Sequence, residues 1–253
     1  PYLNDTDPSY ISQGNSELDS EKSHAFNLSY SNFTQKFNIN LSARYSFTNN
    51  SIENVTKLMP DTEIEGLKNP TGKDVLYSTY ANIGKTRRAS VSAYVNWNAT
   101  PRTRIYMNMS GDYSYMEGSE GMRNDGWSLF AYGGAQQTLP HDWRISLNVF
   151  GQTPWIMLQG KGSSFFDYGL SVNKSFLNKR LTLSAFASNF FKKYMDQSST
   201  TEGAGFIRES SYKYSRQRFG ISVSYRIGEL KASVKKAART ISNDDVKSGG
   251  SGS

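Results

Sequence analysis

Phe37-Asn38-Ile39-Asn40-Leu41-Ser42-Ala43-Arg44-Tyr45-Ser46-Phe47 decides how the rest of the chain is read. Its odd positions are apolar or aromatic; its even positions are Asn, Ser and Arg. Side chains of a strand point alternately to two faces, so this period of two makes one apolar and one polar face. The same beat recurs in Ala89–Trp97, Trp143–Val149 and Arg218–Ile227. A soluble sandwich also alternates. Here the runs reach about ten residues or more, and aromatics collect near their ends, which points to a transmembrane β-barrel with lipid outside and a wet lumen inside. On that reading Phe37, Ile39, Leu41, Val91, Val95, Ile145, Leu147, Ile221 and Val223 face lipid. Asn38, Asn40, Ser92, Asn96, Ser146, Asn148, Ser222 and Ser224 face the lumen.

The totals agree with a barrel. Only 36% of the 253 residues are hydrophobic, and the mean hydropathy is −0.62. No run of about 18 apolar residues exists, which excludes a transmembrane helix. A barrel escapes that test because lumen residues dilute the average. Aromatics make up 13%, 16 of them Tyr, as interfacial girdles require. The absence of cysteine excludes disulfides and thiolate metal sites. The net charge of +7 is spread along the chain rather than blocked, so nucleic acid is not an expected partner. The chain starts at Pro1 without Met or a signal peptide, and is read as a mature product or a piece of something longer.

Along the chain, residues 1–22 are polar and turn-rich and read as an extracellular loop. About nine strands follow, over 23–31, 36–56, 74–98, 102–116, 127–138, 143–157, 165–176, 180–196 and 209–227, with Gly84-Lys85 marking a bulge or bend. Short connections near 32–35, 98–101, 139–142 and 177–179 alternate with longer ones near 57–72, 117–126, 158–164 and 197–208. A bacterial barrel makes that asymmetry, with short periplasmic turns and longer outer loops. An odd number of strands cannot close as a bacterial barrel, so another segment is needed to complete the wall. Residues 228–253 read as a periplasmic basic tail. In it Leu230, Val234, Ala237 and Ile241 form a helical stripe before the flexible Gly/Ser end, Ser248–Ser253.

Gly14-Asn15-Ser16-Glu17-Leu18, followed by Glu21-Lys22-Ser23, resembles the GN-x-x-L-x-x-E-x-S lead-in to a strand in TonB-dependent receptors of the outer membrane. Tyr80–Lys85 before a long alternating strand, and the terminal strand followed by Gly228–Lys236, look like the same family. The resemblance covers residues 8–240 or so. It implies a 22-stranded barrel with a plug domain in the lumen, of which this all-β chain would be the C-terminal part. It further implies a transporter in the bacterial outer membrane that imports a nutrient ligand. The partners would be the lipid bilayer, the missing strands and plug, TonB through the missing N-terminal part, and a surface lipoprotein. The alternatives are an autonomous porin-like barrel and a soluble β-rich binding module.

No catalytic, metal or cofactor-binding residue stands out, and the chain is not read as an enzyme; the substrate-binding residues cannot be named. His24 begins a strand and His141 sits in a tight turn, without the convergent partners that catalysis or a metal needs. Asn-x-Ser/Thr triplets such as Asn27-Leu28-Ser29 reflect the lumen alphabet rather than glycosylation. Arg44, Arg104, Arg144, Arg218 and Arg226 read as lumen residues that meet a plug or water, all but Arg44 near the periplasmic side. Trp97, Trp143, Phe176 and Tyr225 read as a lower aromatic girdle, and Tyr113, Tyr115, Trp127 and Trp155 as an upper one.

Overall fold

The computed structural model describes residues 2–228. The strands in chain order are β1 (Leu3–Asp7), β2 (Tyr10–Gln13), β3 (Lys22–Phe33), β4 (Phe37–Pro60), β5 (Asp74–Thr100), β6 (Thr103–Glu117), β7 (Arg123–Leu139) and β8 (Trp143–Gln152). They continue with β9 (Ile156–Met157), β10 (Gly160–Lys161), β11 (Phe165–Phe176), β12 (Leu181–Ser188), β13 (Tyr194–Gly203), β14 (Phe206–Ser215) and β15 (Arg218–Tyr225). Single 3-10 turns at Asp61–Glu63 and Ser119–Gly121 are the only helical elements among the described residues.

The large sheet is a wall in which β3, β4, β5, β6, β7, β8, β11, β12 and β15 are neighbours in that order, every pair antiparallel. With antiparallel pairing throughout, β3 and β15 run in the same direction. Among the described residues β3 pairs only with β4 and β15 only with β12, so the wall is open along both edges.

Register turns the sequence alternation into two faces. Phe37, Trp97, Ile105, Ala135, Leu147, Leu170, Ala187 and Phe219 are successive Cα partners across eight strands, an unbroken apolar row. One residue along, Asn38, Asn96, Tyr106, Gly134, Asn148, Gly169, Ser188 and Arg218 form the adjoining row on the other face. The apolar face is uncovered: Leu28 is 76% exposed, Val91 62% and Ile221 82%. A water-soluble sandwich would bury those side chains. The buried apolar clusters lie instead at one end of the wall, Ile11 with Ile64 and Val75, and Met116 with Ile156 and Leu158.

That end carries the long connections 61–73, 118–122, 153–164 and 189–217, and is called upper here. The lower end has the short turns 34–36, 101–102, 140–142 and 177–180. His141 and Asp142 (φ 60° and 59°), then Leu177, Asn178 and Lys179 (φ 51°, 53° and 67°), turn the chain through left-handed backbone. That conformation costs an L-residue other than Asn or Asp about 1–2 kcal/mol.

The irregularity expected at Gly84-Lys85 is present. Lys85 pairs with Asn49, Gly84 with Ser51 and Asn82 with Ile52, leaving Asn50 and Ile83 unpaired, with Asn50 at φ 57°. A Cβ on Gly84 would lie 2.1 Å from Ser51 Oγ, so glycine lets the two strands close over the bulge. Above it β4 and β5 continue beyond the end of β3 as a long arm.

Several expectations are corrected. Residues 1–22 are not all loop: β1 and β2 form a hairpin, and Tyr10–Ser12 pair in parallel with Leu76–Ser78 of β5. These strands are too short for periodicity to show. The strand expected over 143–157 ends at Gln152, before Pro154, and Ile156–Met157 joins a second sheet ordered β14-β13-β10-β9. The strands expected over 180–196 and 209–227 stop at Ser188 and start at Arg218. The polar loop expected at 197–208 falls within the β13–β14 hairpin. Asn189 breaks the wall strand: its φ of 48° turns the chain out of the ladder. The helical stripe from Leu230 to Ile241 and the Gly/Ser end lie outside the described residues.

Candidate functional site

The polar face is knitted across strands by its own side chains. Ser42 and Ser92 share a 2.6 Å hydrogen bond, Asn40 Nδ2 donates to Ser31 Oγ at 2.8 Å, and Arg104 Nε donates to Asn96 Oδ1 at 2.7 Å. Tyr106 reaches over Gly134 to donate to Asn148. The face is not uniformly polar. Phe130, Phe150 and Phe165 form an edge-to-face chain, with centroids 5.3 and 5.0 Å apart, and Arg216 lies 4.3 Å over Phe165.

A cap crosses this face at the upper end. After Gln152 the chain leaves the wall, and Ile156 and Leu158 pack with Met116 of β6. Alternation places Met116 on the same face as Asp112 and Ser114. Glycines admit the segment: a Cβ on Gly126 would lie 2.8 Å from Ile156 Cδ1, and one on Gly118 2.7 Å from Leu158 Cδ2. Burying each such apolar side chain contributes about 1.5–3 kcal/mol. β10 then pairs with β13, extending the cap into the β13–β14 hairpin. Asn124 Nδ2 donates to the carbonyls of Met157 and Gly160, both at 2.8 Å.

At its far side the cap reaches β4. Gln159 Oε1 accepts the Thr56 N–H at 2.7 Å and Gln159 Nε2 donates to the Thr56 carbonyl at 2.9 Å. β3 ends at the level of Asn49, so the edge of β4 above it has no strand partner there, and one side-chain amide takes its place. A second tie is the Arg208 guanidinium, 3.8 Å over the Tyr10 ring. The arm's own tip is fixed by Asp61. Its carboxylate accepts the Thr71 N–H and hydroxyl at 2.6 and 2.8 Å and the Gly72 N–H at 2.8 Å, and these bonds, Thr71's first, hold its pKa below the ordinary carboxylate value.

Beneath the cap lies a cleft of about 290 Å³ lined by Arg88, Asp112, Ser128, Phe130, Gln152 and Trp155, among others. Arg88 Nε donates to Ser114 Oγ at 3.3 Å, and Asp112 accepts from the Ser90 and Ser110 hydroxyls. The remaining guanidinium nitrogens of Arg88, the Gln152 amide and the Ser128 hydroxyl make no hydrogen bond among the described residues. The cleft therefore offers unused donors and acceptors of both kinds beside two aromatic rings. Its charged residues, one Arg and one Asp, are of opposite sign.

The sequence-derived residues fall as follows. Arg44 pairs with Asn27 and Ser90 on the polar face, Arg104 with Asn98 and Gln136, and Arg144 with Thr138 and Asn173. Arg226, just past β15, donates its N–H to the Arg180 carbonyl at the lower end. Arg218 was expected near the lower end but pairs with Ser188 at the upper end, because β15 is shorter than periodicity suggested. Trp97, Trp143, Phe176 and Tyr225 all sit at lower strand ends on the apolar face, where Lys174 lies 5.3 Å from both the Trp143 and Phe176 rings. Tyr113 and Trp127 pair at the upper end, rings 5.4 Å apart. Trp155 does not join them: it folds inward and roofs the cleft. His24 stacks on Phe47 at 5.0 Å, and the His141 carbonyl accepts from Lys174. Alternation puts Asp112 and Gln152 on the inner face, but neither they nor Arg88 and Gln159 stand out in the sequence as site residues. The only signal was the apolar run Ile156-Met157-Leu158, which breaks the alternation just before Gly160-Lys161-Gly162.

With one bare apolar face, one bonded polar face and aromatic rims, residues 1–225 match the profile described as the Outer membrane protein beta-barrel family. The chain belongs to that family. No curated protein and no solved structure matches it. As an outer-membrane β-barrel family member, the protein resides in the bacterial outer membrane. In such a barrel the apolar face meets lipid and the polar face, with its capped cleft, lines the lumen.

Proposed function

We propose that this chain is the C-terminal barrel portion of a TonB-dependent outer-membrane receptor, and that the whole receptor imports a nutrient ligand too large for porins. The observation that carries the reading is the pair of unpaired edges, β3 and β15, running in the same direction. Each backbone group left unpaired in lipid costs several kcal/mol, so the wall needs closing. Antiparallel closure between two edges of like direction takes an odd number of further strands. Two copies joined head to tail would instead bring β3 against β15 in parallel, which counts against a self-closing porin. A 22-stranded receptor barrel supplies an odd complement upstream of β3.

In this reading the long connections face outward and the short turns the periplasm. The β1–β2 hairpin is extracellular, and the segment after β15 is periplasmic. The protein is a transporter rather than an enzyme. Its partners are the lipid bilayer, the upstream strands and a plug domain in the lumen, TonB engaged through the N-terminal part, and a surface lipoprotein. The lumenal arginines, Arg44, Arg104 and Arg144 among them, meet the plug or lumen water.

The test is the gene upstream of the codon for Pro1, followed by uptake in a strain lacking TonB. A plug domain and further alternating strands, with uptake lost without TonB, are expected. A signal peptide directly before Pro1 would overturn the proposal.

A further inference from the structure

We propose that segment 153–164, with the β13–β14 hairpin attached to it, is a gate over the lumenal cleft, and that the Gln159 amide is its latch. This rests on the polar face being lumen, not on the coupling to TonB.

Three observations converge. First, the gate roofs hydrogen-bonding groups that the protein itself leaves open to water or a ligand. The Ser128 hydroxyl, the Gln152 amide and the outer nitrogens of Arg88 make no hydrogen bond among the described residues, and they line one cleft with Trp155 and Ile156 above them. Groups of this kind serve a ligand or water that must reach them.

Second, the gate's ties to the facing wall are few, and differ from its ties to its own base. β9, β10, β13 and β14 are one hydrogen-bonded unit and can move together. To the facing wall the unit is joined by the small Met116–Ile156–Leu158 cluster, the Asn124 amide, the Arg208–Tyr10 contact and Gln159. Elements that move in function are drawn from such sparsely bonded regions.

Third, the latch suits reversible release. Gln159 bonds the N–H and C=O of a strand edge that β3 has left vacant, so water replaces both bonds when the amide withdraws. Hydrogen bonds exchanged for water carry a small net free energy, and no apolar surface is exposed at Thr56 itself by their breaking.

These 253 residues hold no cysteine, and any cysteine elsewhere in the protein is first replaced by serine, so one introduced thiol reports alone. Ser128→Cys, beneath the gate, and Ser42→Cys, far below it, are placed singly in the protein in the outer membrane of intact cells. Each is treated from outside with a small methanethiosulfonate and with a bulky maleimide–polyethylene glycol. With the gate latched, position 128 should react with the small reagent and only slowly with the bulky one. Adding Gln159→Ala should speed the bulky reagent at 128 by roughly tenfold, the scale set by losing two ordinary hydrogen bonds. The small-reagent rate at 128, and both rates at 42, should not change. Gln159→Glu keeps an acceptor for the Thr56 N–H, loses the donor and sets a carboxylate against the carbonyl, so it should also speed the bulky reagent. Unchanged gel mobility of the folded form controls for misfolding in both variants. A bulky-reagent rate at 128 that neither variant alters, or that already equals the small-reagent rate in the parent, would overturn the gate. Failure of the small reagent at both 42 and 128 would overturn the lumen assignment on which the gate stands. Failure of the upstream-gene test would leave these outcomes untouched.

Discussion

Val91 and Ser92 are neighbours in β5 and belong to opposite environments. Val91 is 62% exposed and lies opposite Ala43 and Gly111 on the apolar face. Ser92 lies opposite Ser42 and Ser110, with its hydroxyl bonded to that of Ser42 at 2.6 Å. One peptide unit separates lipid from lumen, so a register error of one residue would invert every assignment on the strand.

The same charge should therefore have unequal effects at the two positions. Along β5 the apolar face runs from Trp97 at the lower rim to Ala89, the partner of Tyr113 at the upper one, and Val91 and Val95 lie either side of its midpoint, Ala93. Val91→Arg should destabilise the folded protein by about 2–4 kcal/mol. Val95→Arg, as far from Trp97 as Val91 is from Ala89, should cost a similar amount. Ser92→Arg should cost no more than its lost hydrogen bond, about 0.5–1.5 kcal/mol. Denaturant unfolding in lipid vesicles measures all three.

Gly134 makes room for the Tyr106 bridge to Asn148. A Cβ there would lie 2.4 Å from the Leu147 carbonyl oxygen and 2.7 Å from the Tyr106 hydroxyl. Gly134→Ala should push the tyrosine off Asn148 and cost about 1–3 kcal/mol by overpacking. The same unfolding assay should show Tyr106→Phe to be the milder change, since it removes the hydroxyl without forcing the strand.

Asn189 ends β12 with its side chain as well as its backbone. It is 2% exposed at φ 48°; its Oδ1 accepts the Tyr168 N–H at 3.2 Å, and its amide donates to Asp167, which also pairs with Arg216 at 2.9 Å. Asn189→Ala leaves those groups short of partners in a conformation alanine avoids, and should cost about 2–4 kcal/mol. Asn189→Asp keeps the acceptor but sets a second carboxylate against Asp167, so it should not rescue.

Asp61 makes the arm's tip sensitive to acid. Its folded pKa is lowered by the Thr71 and Gly72 hydrogen bonds, so its contribution is fully present above the ordinary carboxylate value and is lost as pH falls through the depressed folded one. Amide protection factors across residues 61–73, each taken relative to the intrinsic exchange rate at the same pH, should be high at neutral pH and fall in acid. Asp61→Asn should remove most of that pH dependence.

Alternation made the wall and its two faces readable in advance, because the strand period is enforced wherever one face meets lipid and the other water. It also located the lower girdle, where Trp97, Trp143, Phe176 and Tyr225 end their strands, and the bulge at Gly84. It failed where pairing is decided by tertiary contact. Tyr194–Gly203 and Phe206–Ser215 are strands that belong to the cap rather than the wall, and period alone does not say which neighbour a strand takes. Trp155 obeyed the rule that aromatics mark rims until the chain after Gln152 turned inward. Phe130, Phe150 and Phe165 sit on the polar face against the pattern. The latch left no mark, since a lone glutamine in a glycine-rich loop has no period to break.

The central claim is that this is a membrane wall with lipid on one face and water on the other. It is tested most directly by Val91→Cys and Ser92→Cys, made singly and treated in the folded, membrane-embedded state with a water-soluble maleimide. Position 92 should be modified and position 91 protected until the membrane is dissolved and the protein unfolded. Equal modification of the two, or modification at 91 alone, would contradict the account.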